Sequence, residues 1–279
     1  VVLIIAPCNF PFNLTFGPLI SAIAAGNCVI VKPSEITPHA SALMKKILSE
    51  LFDESEVAVV EGGLEETQIL LKQKFDYIFF TGSTMVGKVI MKAAAEFLTP
   101  VTLELGGKSP CLILEGANID VAAKRCAWGK FINAGQTCVA PDYVVIPKNL
   151  QEQFIERMRH HLNTFYGVDP STSEDYPRIV NSRHFNRLAE LLVPEKIAIG
   201  GRSNANEKYL EPTVMKDVGW DDKVMKDEIF GPILPILTYE HLDDALHMIN
   251  SLPRPLAFYV FTEDRDMGQD VIWKVSFGG

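Results

Sequence analysis

The first hundred residues alternate between short apolar runs and segments with helical spacing, and this alternation is the strongest constraint on the fold. Five runs rich in β-branched residues show little polar alternation, as strands covered on both faces do. They span residues 1–6, 28–31, 57–60, 77–81 and 101–105, and helical segments separate them at residues 14–25, 38–51, 65–74 and 86–97. Such repeats predict an α/β fold in which a Rossmann-like parallel sheet carries helices on both faces.

The rest of the chain is less regular but still indicates strands and helices. Strands are predicted at residues 109–114, 143–146, 197–199, 233–239 and 257–262, and helices at residues 120–133, 150–165, 242–250 and 264–274. Residues 169–175 are polar and rich in Ser, Thr and Pro, which predicts a surface loop. The Gly106-Gly107 pair interrupts two apolar strands, so we predict one domain over residues 1–106 and a second over residues 107–279.

Composition and charge exclude several functional classes. Hydrophobic residues make up 47% and charged residues 22% of the 279 residues, which is the balance of a globular protein with a sizeable core. A net charge of −9 is a poor basis for nucleic-acid binding, because that affinity depends on clustered cations. No apolar run approaches the roughly 20 residues that span a bilayer. The chain begins inside an apolar run and ends on Phe-Gly-Gly, so we expect it to be part of a longer protein.

The cysteines indicate a reducing environment and one candidate nucleophile. The five cysteines are odd in number and none has the C-x-x-C spacing, so we expect no disulfide framework and favour a cytoplasmic location. No Cys or His pattern has the spacing of a metal site. Cys28, Cys111 and Cys126 lie in apolar runs or a predicted helix and are interpreted as inert small hydrophobes. Cys138 follows the polar and small residues 135–137, which makes it the best nucleophile candidate.

Lys32 and Glu35 follow the second predicted strand, at the edge where open parallel sheets bind ligands. The lysine could neutralise a phosphate, and the carboxylate could accept hydrogen bonds from ribose hydroxyls. The alternative is an ordinary helix entry, with Ser34 as the capping residue and Glu35 in the first turn.

The segment of residues 82–88 follows the fourth predicted strand and opens a helix. Gly82 and Ser83 begin it, so its backbone N–H groups could cradle a phosphate, or the segment could be a plain strand–helix turn. Val89 stands where a P-loop needs Ser or Thr, and the G-x-G-x-x-G fingerprint is absent.

Glu104 lies inside the apolar run of residues 101–105, just before two glycines. A buried carboxylate is costly and has a raised pKa unless a cation pairs with it. This position therefore indicates either a structural ion pair or a general base. Asn9 and the acidic, aromatic segment of residues 227–232 are, taken alone, parts of ordinary loops.

Six segments in the order found here together resemble the aldehyde dehydrogenase superfamily, most closely its class 3 and fatty-aldehyde branch. They are residues 6–11, residues 26–27 with 32–35, residues 80–83, 103–108, 135–143 and 228–232. Each is weak alone, and the run from Cys138 to Tyr143 is the one that indicates class 3. The resemblance covers the whole chain and implies the aldehyde dehydrogenase fold, truncated at both ends, with an NAD(P)-binding domain first and a catalytic domain second.

The resemblance also implies roles for individual residues. Cys138 is expected to attack the aldehyde carbonyl, with Asn9 and the Cys138 backbone N–H holding the oxyanion. Glu104 is expected to activate the water that hydrolyses the thioester. The remaining expected contacts are with NAD or NADP: Lys32 and Glu35 at the adenosine ribose, Gly82 and Ser83 at the pyrophosphate, and Glu228 and Phe230 at the nicotinamide ribose and ring.

The implied activity is oxidation of an aldehyde to a carboxylic acid, by an enzyme that is a homodimer when complete. Two alternatives stay open: an acylating enzyme that passes the thioester to coenzyme A, and a P-loop-like nucleotide-binding protein built on residues 82–88. Cys8 departs from the family pattern, which has Trp beside the oxyanion asparagine, and this puts a second thiol near the expected site.

Overall fold

The computed structural model describes residues 1–278, and the chain divides into two compact units, Val1–Leu105 and Gly106–Gly279. The assignment of cofactor binding to the first unit and catalysis to the second stays a prediction. Within residues 1–278, we find no helix that is both long and apolar enough to cross a membrane.

The first unit is built on a five-stranded parallel sheet with the strand order β3-β2-β1-β4-β5. Its strands are β1 Val2–Ile5, β2 Val29–Lys32, β3 Val57–Val59, β4 Tyr77–Gly82 and β5 Val101–Leu105. Its helices are α1 Pro11–Ala24, α2 Pro38–Leu51, α3 Leu64–Leu71 and α4 Thr84–Ala95. The predicted Rossmann-like sheet is therefore confirmed.

Strand β1 is buried on both faces, which explains its unbroken apolar sequence. Successive side chains of a strand point to opposite faces of the sheet. Leu3 accordingly packs in one apolar cluster with Ile90 of α4, whereas Ile4 packs in another with Leu19 of α1 and Leu48 of α2. The predicted cofactor-binding residues of this unit lie at the carboxyl ends of β2 and β4, and the carboxyl end of β1 leads into the loop that contains Asn9.

The second unit contains a six-stranded sheet with the order β13-β6-β7-β12-β11-β8, in which only β8 is antiparallel to its neighbour. The strands of this unit are β6 Pro110–Ile113, β7 Tyr143–Pro147, β8 Ile197–Ile199, β9 Ser203–Asn204, β10 Tyr209–Leu210, β11 Thr213–Met215, β12 Ile233–Tyr239 and β13 Tyr259–Phe261. Strands β9 and β10 form a separate antiparallel pair. The helices are α5 Ile119–Phe131, α6 Gln151–Tyr166, α7 Ser182–Ala189, α8 Leu242–Ser251 and α9 Arg265–Lys274.

Several short elements of the second unit were not predicted. Helix α7 is eight residues long and buries only Phe185 and Leu188, so its apolar periodicity is too brief to detect. Strands β9, β10 and β11 have two or three residues each. The predicted loop at residues 169–175 is also only partly correct, because Pro170–Thr172 forms a 3₁₀ turn.

Strand β7 lies inside the second sheet, between β6 and β12, and all five of its residues are buried. Helices α5 and α6 pack against each other and contribute Phe131, Phe154 and Met158 to the same core. The segment that carries Cys138 runs from the end of α5 into β7, so it is held between two rigid elements.

Candidate active site

Lys32 is the last residue of β2, and its side chain is only 2% exposed. Its Nζ donates to the Pro33 carbonyl at 2.9 Å and to Oε2 of Glu35 at 3.4 Å, so the structure brings these two predicted residues together. Helix α2 begins at Pro38, after a cap at Thr37, so the alternative of a helix entry capped by Ser34 is wrong. A buried ammonium beside a half-exposed carboxylate, at the carboxyl edge of a parallel sheet, fits a ribose and phosphate ligand.

The loop after β1 contains Cys8 and Asn9, both half-buried. This loop leaves β1 beside the end of β2, where the Ala6 N–H donates to the Lys32 carbonyl at 3.1 Å. Burial raises the pKa of the Cys8 thiol, and the negative charge of Glu35 raises it further. A thiol that stays protonated is a poor nucleophile, so this environment disfavours Cys8 as the reactive cysteine.

Gly82 ends β4 and Ser83 caps α4, with the Ser83 Oγ accepting from the Val86 N–H at 3.4 Å. A Cβ on residue 82 would approach the ring of Phe80 to 2.5 Å, so a side chain at this position would require the ring to move. The helix starts at Thr84 and includes residues 87 and 88, which leaves no loop that could wrap a phosphate. The P-loop alternative is therefore wrong, while a contact between the start of α4 and a pyrophosphate stays a prediction.

Glu104 is exposed, which contradicts the expectation of a buried carboxylate. Strand β5 is the edge of its sheet and pairs only with β4, so its residues are half-buried or exposed. Burial therefore gives no support to a role for Glu104 as a general base. The proposed role of Glu104 as a base for water now depends on the family resemblance alone.

The chain reverses direction between α5 and Cys138 through three successive left-handed residues. Asn133, Ala134 and Gly135 have φ values of 52°, 50° and 73°. A Cβ on Gly135 would lie 2.2 Å from the carbonyl oxygen of Gly231, so the two backbones pack directly against each other. Left-handed non-glycine residues cost free energy and are concentrated at functional sites.

Gln136 lies at the start of the segment that carries Cys138, and it is 5% exposed. Its Oε1 accepts from the Val180 N–H at 2.9 Å. Its Nε2 donates to the carbonyls of Arg178 at 3.2 Å and Asn133 at 3.0 Å. Because each polar atom of this buried amide is used, the backbone just before Cys138 is held in one position.

Cys138 and Val139 occupy the centre of a turn that is closed by a hydrogen bond from the Ala140 N–H to the Thr137 carbonyl at 3.0 Å. Cys138 is half-buried, whereas Cys111 and Cys126 are fully buried, as an inert role requires. Cys28 is exposed and precedes β2, so its predicted place inside the apolar strand is wrong. The apolar run extends only from the residue after it.

Asp142 lies at the end of the segment that carries Cys138, and it is 3% exposed. Its Oδ2 accepts a hydrogen bond from the Lys108 ammonium, and its Oδ1 accepts from the Ile229 N–H at 2.9 Å. Lys108 Nζ also donates to the carbonyls of Val224 at 3.0 Å and Asp227 at 3.1 Å. Hydrogen bonds of Asp142 and Lys108 therefore connect the segment that carries Cys138 to the loop that carries Glu228.

Lys130, on the last turn of α5, is a second buried lysine at this cluster. Its Nζ lies 4.0 Å from Oδ1 of Asp142. Burial lowers its pKa to about 8, against the opposing charge of Asp142. Lys108, Lys130 and Asp142 were not predicted as site residues. The signal available was two lysines and an aspartate within or beside apolar segments, where charged groups need partners.

Glu228 lies half-buried against the glycine turn at the start of the second unit. Burial raises the pKa of its carboxyl to about 7, and the negative charge of Asp142 contributes, while a hydrogen bond from the Gly107 N–H opposes the shift. A Cβ on Gly106 would lie 2.1 Å from Oε1 of Glu228, so a side chain at this position would displace the Glu228 carboxylate. Phe230 follows with a left-handed φ of 46°, a rare conformation for a bulky residue.

Comparison of the sequence with known proteins identifies the family of this chain. The sequence model of the aldehyde dehydrogenase family matches residues 1–279. The chain belongs to the aldehyde dehydrogenase family. It is 52% identical over its whole length to 4,4'-diaponeurosporen-aldehyde dehydrogenase of Staphylococcus aureus and covers 61% of that protein. It is 50% identical to mouse aldehyde dehydrogenase family 3 member A2, of which it covers 58%.

Two further comparisons agree with this membership. The chain is 47% identical to the rat aldehyde dehydrogenase described as dimeric and NADP-preferring, and covers 62% of it. A solved structure of Staphylococcus aureus AldH in a substrate-bound state superimposes with a TM-score of 0.98 at 51% identity, over the whole chain and 61% of the solved one. The chain thus spans about three fifths of the length of these aldehyde dehydrogenases and has their fold.

Within residues 1–278 there is no cluster of three or more Cys, His, Asp or Glu residues placed to hold a metal ion.

Proposed function

We propose that the complete protein oxidises an aldehyde to a carboxylic acid with NAD or NADP, through a covalent intermediate on Cys138. The observation that carries this proposal is the half-buried Cys138 at the centre of a turn whose two ends are fixed by the buried side chains of Gln136 and Asp142. A nucleophile held in this way is preoriented for attack. Membership of the aldehyde dehydrogenase family supports the choice of substrate.

In the proposed reaction, the Cys138 thiolate forms a bond to the carbonyl carbon and gives a thiohemiacetal. The family resemblance assigns oxyanion stabilisation to Asn9 and the Cys138 backbone N–H. When bound, the nicotinamide ring supplies the hydride acceptor that this oxidation needs. The product on Cys138 is a thioester, and Glu104 is proposed to take a proton from the water that hydrolyses it.

The cofactor is proposed to be NAD or NADP, held by residues that fit it chemically. Lys32 offers a positive charge and Glu35 a hydrogen-bond acceptor at the carboxyl edge of the first sheet. Gly82 and Ser83 present the start of α4 to a pyrophosphate. Glu228, against the glycine turn, is proposed to accept from the nicotinamide ribose, with Phe230 beside the ring.

A homodimer is proposed for the complete protein. Helix α4 exposes Met85, Val86 and Val89, of which Met85 is 72% exposed. Apolar side chains clustered on one exposed helix indicate a contact surface. The relative described as dimeric supports a second copy of the chain as the partner.

The test is an assay of the complete protein with aldehydes of graded chain length, with NAD and with NADP. We expect NAD(P)H to accumulate and one equivalent of carboxylic acid to form. The same mixture with added coenzyme A tests the acylating alternative, since that activity yields an acyl-coenzyme A. Absence of NAD(P)H formation with every aldehyde would reject the proposed function.

A further inference from the structure

A tyrosine far along the chain contacts the turn that presents Cys138. Tyr259 is the first residue of β13, and its hydroxyl donates to the Val139 carbonyl oxygen at 2.5 Å, across 120 positions of sequence. Val139 and Cys138 are the two central residues of the turn closed between Thr137 and Ala140. The hydrogen bond therefore attaches the middle of this turn to the sheet.

We propose that Tyr259 is a positioning residue for Cys138, whose hydroxyl holds the Val139–Ala140 peptide and so fixes the direction in which the turn presents the thiol. This inference depends on the proposed function in taking Cys138 as the nucleophile. Tyr259 itself takes no part in bond making.

The hydrogen bond from Tyr259 holds the centre of the turn, whereas Gln136 and Asp142 hold the chain on either side of it. The Val139–Ala140 peptide closes the turn, because its N–H donates to the Thr137 carbonyl. A hydrogen bond to the carbonyl oxygen of this same peptide fixes the orientation of the peptide from its other side. Tyr259 supplies that bond from outside the segment.

Tyr259 is itself held in place. In the parallel pairing of β13 with β6, it lies opposite Cys111, a fully buried residue whose Sγ is 3.3 Å from that of Cys126 on α5. Burial raises the pKa of the Tyr259 phenol, and the neighbouring thiols at Cys111 and Cys138 contribute. The phenol therefore stays protonated at neutral pH and can donate to a carbonyl throughout the working range.

The rate of attack by Cys138 depends on how well the thiol is aligned with the aldehyde carbonyl. A reacting group displaced by about 1 Å can lose on the order of 100-fold in rate. Oriented N–H groups around a sulfur atom also stabilise its thiolate form. When the turn is less well fixed, a smaller fraction of Cys138 is therefore expected to be thiolate. Loss of the Tyr259 hydroxyl should therefore slow both the attack on an aldehyde and the reaction of Cys138 with a simple alkylating agent.

The test compares two Tyr→Phe variants of the complete protein. Tyr259→Phe removes one oxygen atom and keeps the packing of the ring. Tyr239→Phe is the matched control, because Tyr239 is also half-buried in this unit and also donates to a backbone carbonyl, that of Ile113 at 3.0 Å. The measurements are the rate of the NADH burst, KM for NAD, the melting temperature, and the rate at which iodoacetamide alkylates Cys138 between pH 6 and 10.

We expect Tyr259→Phe to slow the burst about tenfold and alkylation at pH 7 about threefold. Its KM for NAD and its melting temperature should match those of Tyr239→Phe. Burst and alkylation rates within twofold of the control would overturn the proposal, and so would a slower burst with an unchanged alkylation profile. If the unmodified protein oxidises no aldehyde, the proposed function fails, but the alkylation profile still decides whether Tyr259 positions the thiol.

Discussion

Asp142 accepts a hydrogen bond from the backbone N–H of Ile229 at 2.9 Å, and this contact joins the segment that carries Cys138 to the one that carries Glu228. The carboxylate of Asp142 is buried, and the ammonium of Lys108 neutralises it. Breaking a buried pair by removing one partner is much more costly than losing a surface pair, because it leaves an uncompensated charge. The proposed nucleophile and the proposed ribose acceptor are thus parts of one rigid assembly.

Cys138 is expected to be the cysteine whose loss abolishes turnover. Its half-buried position in a fixed turn suits a nucleophile, whereas burial and Glu35 keep the Cys8 thiol protonated. Cys138→Ser in the complete protein should lose nearly all aldehyde oxidation, because a serine hydroxyl is almost wholly protonated at neutral pH. Cys8→Ala is the matched control and should keep most of its activity. The opposite pattern in the steady-state assay would identify Cys8 as the nucleophile.

Glu35 is expected to favour NAD over NADP. Its side chain is 53% exposed beside the buried Lys32, and a 2'-phosphate bound there would place like charges close together. Glu35→Gln should raise the kcat/KM for NADP relative to that for NAD. Glu65→Gln makes the same charge change at an exposed position of α3 and should leave the ratio unchanged. An unchanged ratio in Glu35→Gln would mean that Glu35 does not face the ribose.

Glu104 is expected to act after hydride transfer. If it activates the hydrolytic water, Glu104→Gln should give a burst of about one equivalent of NADH per site and then turn over roughly 10²–10⁴-fold more slowly than the unmodified protein. Stopped-flow absorbance measures both phases. A variant without a burst would show that acylation is impaired, and Glu104 would then act on Cys138 or hold β5 in place.

Glu228 is expected to make stability depend on pH. Its pKa is about 7 in the folded protein, above the ordinary value of 4.5, so the folded state binds the extra proton between these pH values. Stability therefore falls as pH rises from about 4.5 to 7, and above that window the folded protein carries the unfavourable buried charge of Glu228 in full. Glu228→Gln should unfold with a free energy roughly 1–3 kcal/mol larger at pH 8 and nearly equal at pH 4.5. Denaturant unfolding at the two pH values measures the difference, and an equal effect at both would contradict the assignment.

The exposed face of α4 is expected to hold two copies together. Met85→Glu with Val89→Glu would place two charges on it and should shift the complete protein from dimer to monomer in sedimentation experiments. Ile20→Glu is the control, since Ile20 is 67% exposed on α1. A dimer that survives the double substitution would place the interface elsewhere.

The first sheet could be predicted because its signals are local. Each strand of the first unit lies in a short and mostly apolar run, and each helix has its own periodicity, so neighbouring residues carry the information. Strand β5 does carry a local signal of exposure, because Thr102 and Glu104 alternate with apolar residues. The burial of Glu104 was predicted wrongly because this strand was interpreted as covered on both faces.

The site was only partly predictable, because its contacts join distant parts of the chain. Asp142 meets Lys108 across 34 positions of sequence and Ile229 across 87. Such pairings depend on how the strands are ordered, and no local pattern encodes that order. The motifs identified Cys138 and Glu228 individually, while the buried charges that connect their segments became visible only in the folded chain.

The contact between Gly135 and the carbonyl of Gly231 leaves no side chain between the two segments that approach the site. Side chains can change rotamer to absorb a shift of a neighbour, but two backbones in contact have no such freedom. Displacement of the loop around Gly231 must therefore be transmitted directly to the left-handed reversal that precedes Cys138. A ligand that moves the loop around Gly231 would therefore also move the backbone that precedes Cys138. No side chain lies at this contact, so no side-chain substitution there could weaken the coupling.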